Sequence, residues 1–407
     1  MDRAGTPNAG SESLVAQRFR PFGNSIFAEM TALANASKAV NLSQGFPDFD
    51  GPESARAGAI EAIRAGHSQY ARMIGVPVLN EAIARAWARD AGGTIDPERH
   101  VTVTSGCSEA IVAAMLGLLN PGDEVVLFEP FFDFYVTGAA MAGAVPRGVL
   151  LRPPADPDAP GAAFWFDEGE LARAFTPRTR AIIVNTPHNP TGKVFTRAEL
   201  ELIGALAAKH NAVIITDEVY EHLAFEPSLP HVRMATLPGM WERTLTLSSL
   251  GKTCSLTGWK VGWGIGPERV TAALRAAHQF ITFCSPTPLQ HGAAAGLDDA
   301  PRYAAELRTL FVRNRDVLGA ALRAAGLVVY PSHGTYFLMA DHRPLGFASD
   351  RAFCAHLARE VGVAAIPPSV FYLDPAHGRP LVRFAFCKRR ETIDEAASRL
   401  GRLRPRA

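Results

Sequence analysis

The chain has 407 residues, 47% hydrophobic and 20% charged, with a formal net charge of +1. That length exceeds one typical hydrophobic core, so two domains are expected, one of them large. The near-neutral balance excludes a protein built around nucleic acid or an anionic membrane, and the basic run at residues 399–406 reads as a solvated last helix and tail.

Residues 1–20 are polar and small and read as a loose arm. A helical pattern covers 26–36, and 40–42 lead into the turn Gly45-Phe46-Pro47. From about residue 55, helices alternate with short apolar strands, the mark of an α/β sheet. The strand at 100–104 breaks at Ser105-Gly106 and enters a helix at 108–119, stopped by Asn120-Pro121-Gly122. The strand at 181–184 ends in Asn185-Thr186-Pro187-His188-Asn189-Pro190, and the strand at 212–216 ends in Asp217-Glu218-Val219-Tyr220. Between them lies an amphipathic helix at 198–210, with Asn211 expected as its C-cap. This is a βαβ unit, and parallel strands bring such loop residues to one carboxyl edge of the sheet, where open α/β folds bind ligands. After residue 295 the pattern changes to a helix at 302–325 and strands at 327–330, 336–340 and 381–386, which suggests a smaller α+β domain. The expected division is an arm with part of the small domain at 1–50, a large domain at 51–295 and a small domain at 296–407.

Five scattered cysteines (Cys107, Cys254, Cys284, Cys354 and Cys387) form no CxxC pair, which argues against a disulfide framework and structural zinc. The first thirty residues hold no apolar stretch of signal length, and the run at 110–119 is too short to span a bilayer. A cytoplasmic protein is therefore expected.

The chemistry begins at Ser248-Ser249-Leu250-Gly251-Lys252, where a lysine among small residues follows the β-rich run 244–247. An amine nucleophile must be unprotonated, and desolvation or neighbouring positive charge favours that form. Alone, such a lysine is usually a solvated side chain. Asp217 directly follows the β-rich run Ala212-Val213-Ile214-Ile215-Thr216, where a charge is costly unless paired; a helix cap or a structural ion pair is the bland alternative. Asn189, between His188 and Pro190, could equally form a turn, and Tyr220 could be ordinary packing.

Together these residues are far more specific. The Asn-Pro loop, Asp-x-x-Tyr after a strand, and Ser-x-x-Lys followed by Gly258-Trp259-Lys260 occur in the order found in the class I/II aminotransferases of fold type I. The likeness extends through Asn41 to Asp48, Gln69-Tyr70, Pro121 to Glu124, Gly334 to Phe337, Gly362 to Pro367 and Val382-Arg383-Phe384. It most resembles the branch with kynurenine aminotransferase/cysteine-conjugate β-lyase, methionine aminotransferase and N-succinyldiaminopimelate aminotransferase. The fold implied is a mostly parallel sheet sandwiched by helices, with a smaller α+β domain.

The resemblance implies pyridoxal 5'-phosphate as cofactor, carried by Lys252 as an aldimine, with the freed amine as general base. Asp217 would keep the ring nitrogen protonated, Asn189 and Tyr220 would donate to the phenolic oxygen, and Phe132 would stack on the ring, unless Phe131 is the exposed one. Gly106, Cys107 and Ser108 open a helix suited to phosphate, with Ser249 and Lys260 on the other side. Tyr70 would reach the partner's phosphate in a homodimer with shared active sites. Arg383 would clamp the substrate carboxylate, with Asn185, Gly45, Phe27 and Tyr336 as further substrate contacts. Phe27, Tyr336, Phe371 and Tyr372, with Phe283 of the second chain, imply an apolar or aromatic-lined pocket. An N-succinylated donor would need a second cation, for which Arg72 is a candidate. The expected reaction moves an α-amino group from such a donor to a 2-oxo acid. The alternative is β-elimination from a cysteine S-conjugate at the same site. A nicotinamide enzyme is set aside, because Gly262, Gly264 and Gly266 lack the spacing of a dinucleotide fingerprint.

Overall fold

A computed structural model describes residues 14–23 and 25–405; most of the predicted arm, residues 1–13, and the last basic residue, Arg406, lie outside them. Seven strands form the large sheet, in the order Val101–Thr104, Gly262–Ile265, Thr244–Ser249, Val213–Asp217, Thr179–Asn185, Glu124–Glu129, Val145–Leu150. Gly262–Ile265 runs antiparallel to both neighbours, and every other pairing is parallel. The central strands are buried except at Arg180 and Val213 near their starts, as a sheet covered by helices on both faces requires. Parallel registers such as Asn185 opposite Asp217 and Asp217 opposite Leu247 bring the polar strand ends to one edge.

The smaller sheet has three antiparallel strands, Leu381–Ala385, Phe337–Asp341 and Val328–Val329, with Arg383 opposite Met339. Its core gathers Phe311, Leu318, Phe337, Phe353 and Phe384 together with Ile26, Met30 and Leu42 from the N-terminal segment. Val40–Asn41 pairs in parallel with Val363–Ala364, which ties that segment to the small domain.

Two expectations shift. The helix expected at 302–325 begins earlier, at Thr287, and runs unbroken to Ala324 with Pro301 inside it. The boundary expected at 295/296 therefore falls within a helix. Its first half buries Ala293, Ala294 and Leu297 against the large domain, and its second half buries Leu307, Phe311 and Leu322 in the small-domain core. The helix Arg197–Lys209 starts with the capping box of Thr196 and Glu199 but is closed by His210, and Asn211 takes the left-handed position after it, at φ 51°.

Candidate active site

A cavity of about 290 Å3 opens at the carboxyl edge of the large sheet, where adjacent strands end in Asn185, Asp217 and Ser249. Asp217 closes its floor at 4% exposure. Tyr135, from the helix Asp133–Ala142, donates its hydroxyl to Asp217 Oδ2 at 2.7 Å. The Val219 amide and the Cys107 thiol lie 3.4 and 3.8 Å from Oδ1. Burial raises the Asp217 carboxyl above its ordinary range, with the Tyr135 bond opposing, and Lys252 acts on it only through space. This is a buried acid served by neutral donors, with one flank open to the cavity.

Lys252 sits in the single helical turn Leu250–Thr253 that follows Ser249. Its Nζ donates to the Gly45 carbonyl at 3.2 Å and lies 5.6 and 5.9 Å from the ring centres of Tyr336 and Tyr220. Desolvation lowers the ammonium to about 8, opposed by Cys387 and Asp217 and aided by Arg383 and Lys260. About a tenth of the amine is then free at pH 7, against well under about a thousandth for an ordinary lysine.

The next wall is the first turn of the helix Gly106–Leu118, to which Ser105 gives no side-chain cap, so the first amides are open to a ligand. Gly106 holds φ 74°, and a Cβ there would come within 3.1 Å of Lys260 Nζ. Lys260 Nζ is 3.4 Å from Ser108 Oγ, and Ser249 completes this corner of the cavity. Strand Gly262–Ile265 passes so close that a Cβ on Gly262 would lie 2.5 Å from the Cys107 nitrogen. The glycines at 262, 264 and 266 are thus close-approach positions, since a Cβ on Gly264 or Gly266 would meet Leu274 or the Thr244 carbonyl.

Across the cavity, Arg383 is 2% exposed. It donates to Asn189 Oδ1 at 3.2 Å and to the Ser43 carbonyl at 2.9 Å, while its Nε has no partner among the described residues. The Phe337, Phe27 and Phe371 ring centres lie 4.3, 5.4 and 5.5 Å from the guanidinium carbon. Burial lowers Arg383 to about 10. A desolvated guanidinium with a free donor and no carboxylate bond is prepared for an anion.

The sequence-derived residues converge with few exceptions. Phe132 lines the cavity while Phe131 is core, so Phe132 is the ring of the two that faces it. Tyr336 stands behind the lining, donating its hydroxyl to the Gly45 carbonyl at 2.6 Å. Asn185 lines the cavity; its amide nitrogen donates to the Asp217 carbonyl and its Oδ1 accepts from the Asn189 nitrogen, which leaves one amide hydrogen for a ligand. Tyr372 packs into the large-domain core. Arg72 forms a bidentate pair with Glu98 and also bonds the Gly75 carbonyl, so it is not a spare cation. Tyr70 lies on the surface, 87% exposed, edge-on to Phe283 at 5.9 Å. Sequence reasoning missed Tyr135, and also Gln44, Ile111, Thr257 and Val261 in the lining. Gln44 lay inside the quoted Asn41 to Asp48 motif without being given a role, and Tyr135 stood near the expected stacking residue with nothing in the sequence to disclose its bond to Asp217.

These features fit pyridoxal phosphate. The uncapped helix end with Ser249 and Lys260 suits a phosphate, the open flank of buried Asp217 suits a protonated ring nitrogen, and Lys252 suits an aldehyde carbon. Fold and cavity together define a pyridoxal-phosphate enzyme of fold type I. The chain belongs to the class I and II aminotransferases, whose family model matches residues 37–400. It is 47% identical over 402 residues to a probable N-succinyldiaminopimelate aminotransferase, DapC, of Mycobacterium tuberculosis, covering 97% of this chain and 99% of that protein. It is 40% identical over 381 residues to methionine aminotransferase of Escherichia coli, covering 94% and 96%. The solved structure of N-succinyldiaminopimelate aminotransferase from Mycobacterium tuberculosis superposes with a TM-score of 0.91 at 47% identity, covering 96% of this chain and 100% of that one. The chain is a pyridoxal-phosphate-dependent aminotransferase.

Proposed function

We propose that this enzyme takes the α-amino group from an amino acid with an apolar, thioether or aromatic side chain and passes it to a 2-oxo acid, as a cytoplasmic homodimer. One observation carries the donor class. The cations lining the cavity are Lys252, Lys260 and Arg383, each already assigned, while Phe27, Phe46 and Phe337 form its apolar walls. A donor with a second acidic group finds no further cation among these lining residues.

Bound pyridoxal phosphate supplies an electron sink for the pair left when the Cα–H bond breaks. Lys252 removes that proton from Cα and returns one during the second half of the cycle, a role its lowered pKa favours. Asp217 holds a proton at the ring nitrogen, and Tyr135 and Cys107 fix the carboxylate's orientation. Asn189 accepts from Arg383 at its Oδ1, leaving its amide hydrogens for the phenolic oxygen, which Tyr220 also serves. Phe132 covers one ring face. Arg383 orients Cα by holding the α-carboxylate, and its aromatic neighbours keep water from competing.

Support for the homodimer comes from the surface. Tyr70, Phe280 and Phe283 are 87%, 85% and 44% exposed, and Tyr70 packs on Phe283. A second copy would cover these rings and let Tyr70 reach its phosphate. The cytoplasmic placement leans on five unpaired cysteines.

A second reading, an N-succinyldiaminopimelate-like donor, is favoured by the 47% identity with the mycobacterial relative of that name. It needs a cation from beyond this chain's own cavity.

The test is a donor panel with the cofactor-loaded enzyme and 2-oxoglutarate or pyruvate. We expect kcat/KM for methionine or phenylalanine to exceed that for aspartate by about 100-fold. Preference for aspartate would reject the apolar-donor reading, and preference for N-succinyldiaminopimelate would establish the second. Thiol and pyruvate released from a cysteine S-conjugate without acceptor would instead mark the β-elimination.

A further inference from the structure

We propose that Glu109 and His278, neither of which lines the cavity, form a buried positioning pair that sets how tightly the first turn of the helix Gly106–Leu118 holds the cofactor's phosphate. The inference rests on the reading of that turn as the phosphate site. Ser105 supplies no cap, and in its place the Glu109 side chain folds back to accept the Ser105 amide at 2.5 Å. That bond fixes the corner between the strand Val101–Thr104 and the helix. It therefore fixes the direction in which the amides of Gly106, Cys107 and Ser108 point.

A carboxylate in this turn carries an electrostatic cost. It competes with an incoming phosphate for the same positive helix end. The structure offsets that charge from behind. Glu109 Oε1 accepts the Thr282 hydroxyl at 2.6 Å and faces His278 Nδ1 at 2.7 Å. His278 is wholly buried, and its Nε2 faces the Met73 carbonyl at 3.0 Å. The Glu109 carboxylate thus stands before one ring nitrogen and the Met73 carbonyl before the other. The His278 and Thr282 contacts both fall on Oε1, and so draw the carboxylate's charge away from the amides that Oε2 aims at the anion. His278 binds no ligand itself.

The pair acts on phosphate alone, which gives it a specific signature. Apoprotein is titrated with pyridoxal phosphate and, in parallel, with pyridoxal, which lacks the phosphate, and uptake is followed by absorbance. Glu109→Gln should weaken pyridoxal phosphate about tenfold or more while changing pyridoxal by less than about twofold. Thr282→Val, which leaves the pair intact, should give a smaller loss with the same selectivity. Glu109→Gln combined with His278→Asn should lose less than the two single losses multiplied. Parental pyridoxal phosphate affinity in Glu109→Gln, or an equal loss of both ligands in it and in Thr282→Val, would overturn the proposal. If the parent protein itself fails to prefer pyridoxal phosphate over pyridoxal, the phosphate reading of the helix end falls instead.

Discussion

An amine that attacks a carbonyl and later carries a proton works best with a pKa near the working pH. Lys252 is brought to about 8 chiefly by desolvation. Below that value the amine is an ammonium without a free pair; above it the pair is available. The rate at which apoprotein takes up pyridoxal phosphate should therefore rise with pH through about 8 and then level, measured by stopped-flow absorbance. An ordinary lysine would keep climbing toward about 10.4, and such a profile would count against this account of the residue. Arg383 makes a second prediction. Lysine in its place cannot offer two parallel bonds and gives up the contacts to Asn189 and the Ser43 carbonyl. Arg383→Lys should lower kcat/KM about 100-fold, roughly 2.7 kcal/mol, mostly through KM, with the cofactor's absorbance unchanged. Retention of the parental KM would show that another group holds the carboxylate. Lys252, Asp217 and Arg383 were legible through the combined pattern and not singly, because a lone lysine after a strand reads as a solvated side chain and a lone aspartate there as a cap or an ion pair. Tyr135 was not, because a tyrosine in an aromatic run discloses nothing of a bond to Asp217, 82 positions away.

The strand ends explain why so much of the cavity could be read beforehand. Parallel pairing obliges successive strands to release their last residues at one edge, so Asn185, Asp217 and Ser249 converge whatever the loops between them do. The antiparallel strand Gly262–Ile265 is the less obvious element, since its glycines look like flexibility and act as clearance. Gly262→Ala would force the strand away from Gly106 and Cys107. The expected outcome is a melting temperature lower by about 3 °C or more and weaker pyridoxal phosphate uptake, read by thermal denaturation and absorbance titration. An unchanged melting curve with normal uptake would show that the helix end can yield. The helix Thr287–Ala324 starts well before the expected 302, with Pro286 as its N-cap, Pro288 in its first turn and Pro301 inside it, residues that ordinarily mark breaks. Two of these prolines sit at or beside the N-terminus, where a missing amide costs little, and packing on both sides carries the helix past the third.

At the scale of the molecule, the parts of the site ride on different sheets. Lys252 and Asp217 belong to the large one, and Arg383 to the small one. Composition could announce two domains but could not reveal what joins them, because a helix shared by two cores has the same periodicity as two separate helices. That shared helix imposes a mechanical tolerance. Beyond Pro301 it continues for roughly 35 Å at 1.5 Å per residue, so a bend of only about 10° at the proline would carry its far end about 6 Å sideways. Displacements near 1 Å at reacting atoms already cost about 100-fold in rate. The straightness of a rod that never meets the substrate thus governs how accurately carboxylate anchor and amine are gauged against each other, and a substitution that lets it sag would mimic a lesion at the chemistry itself.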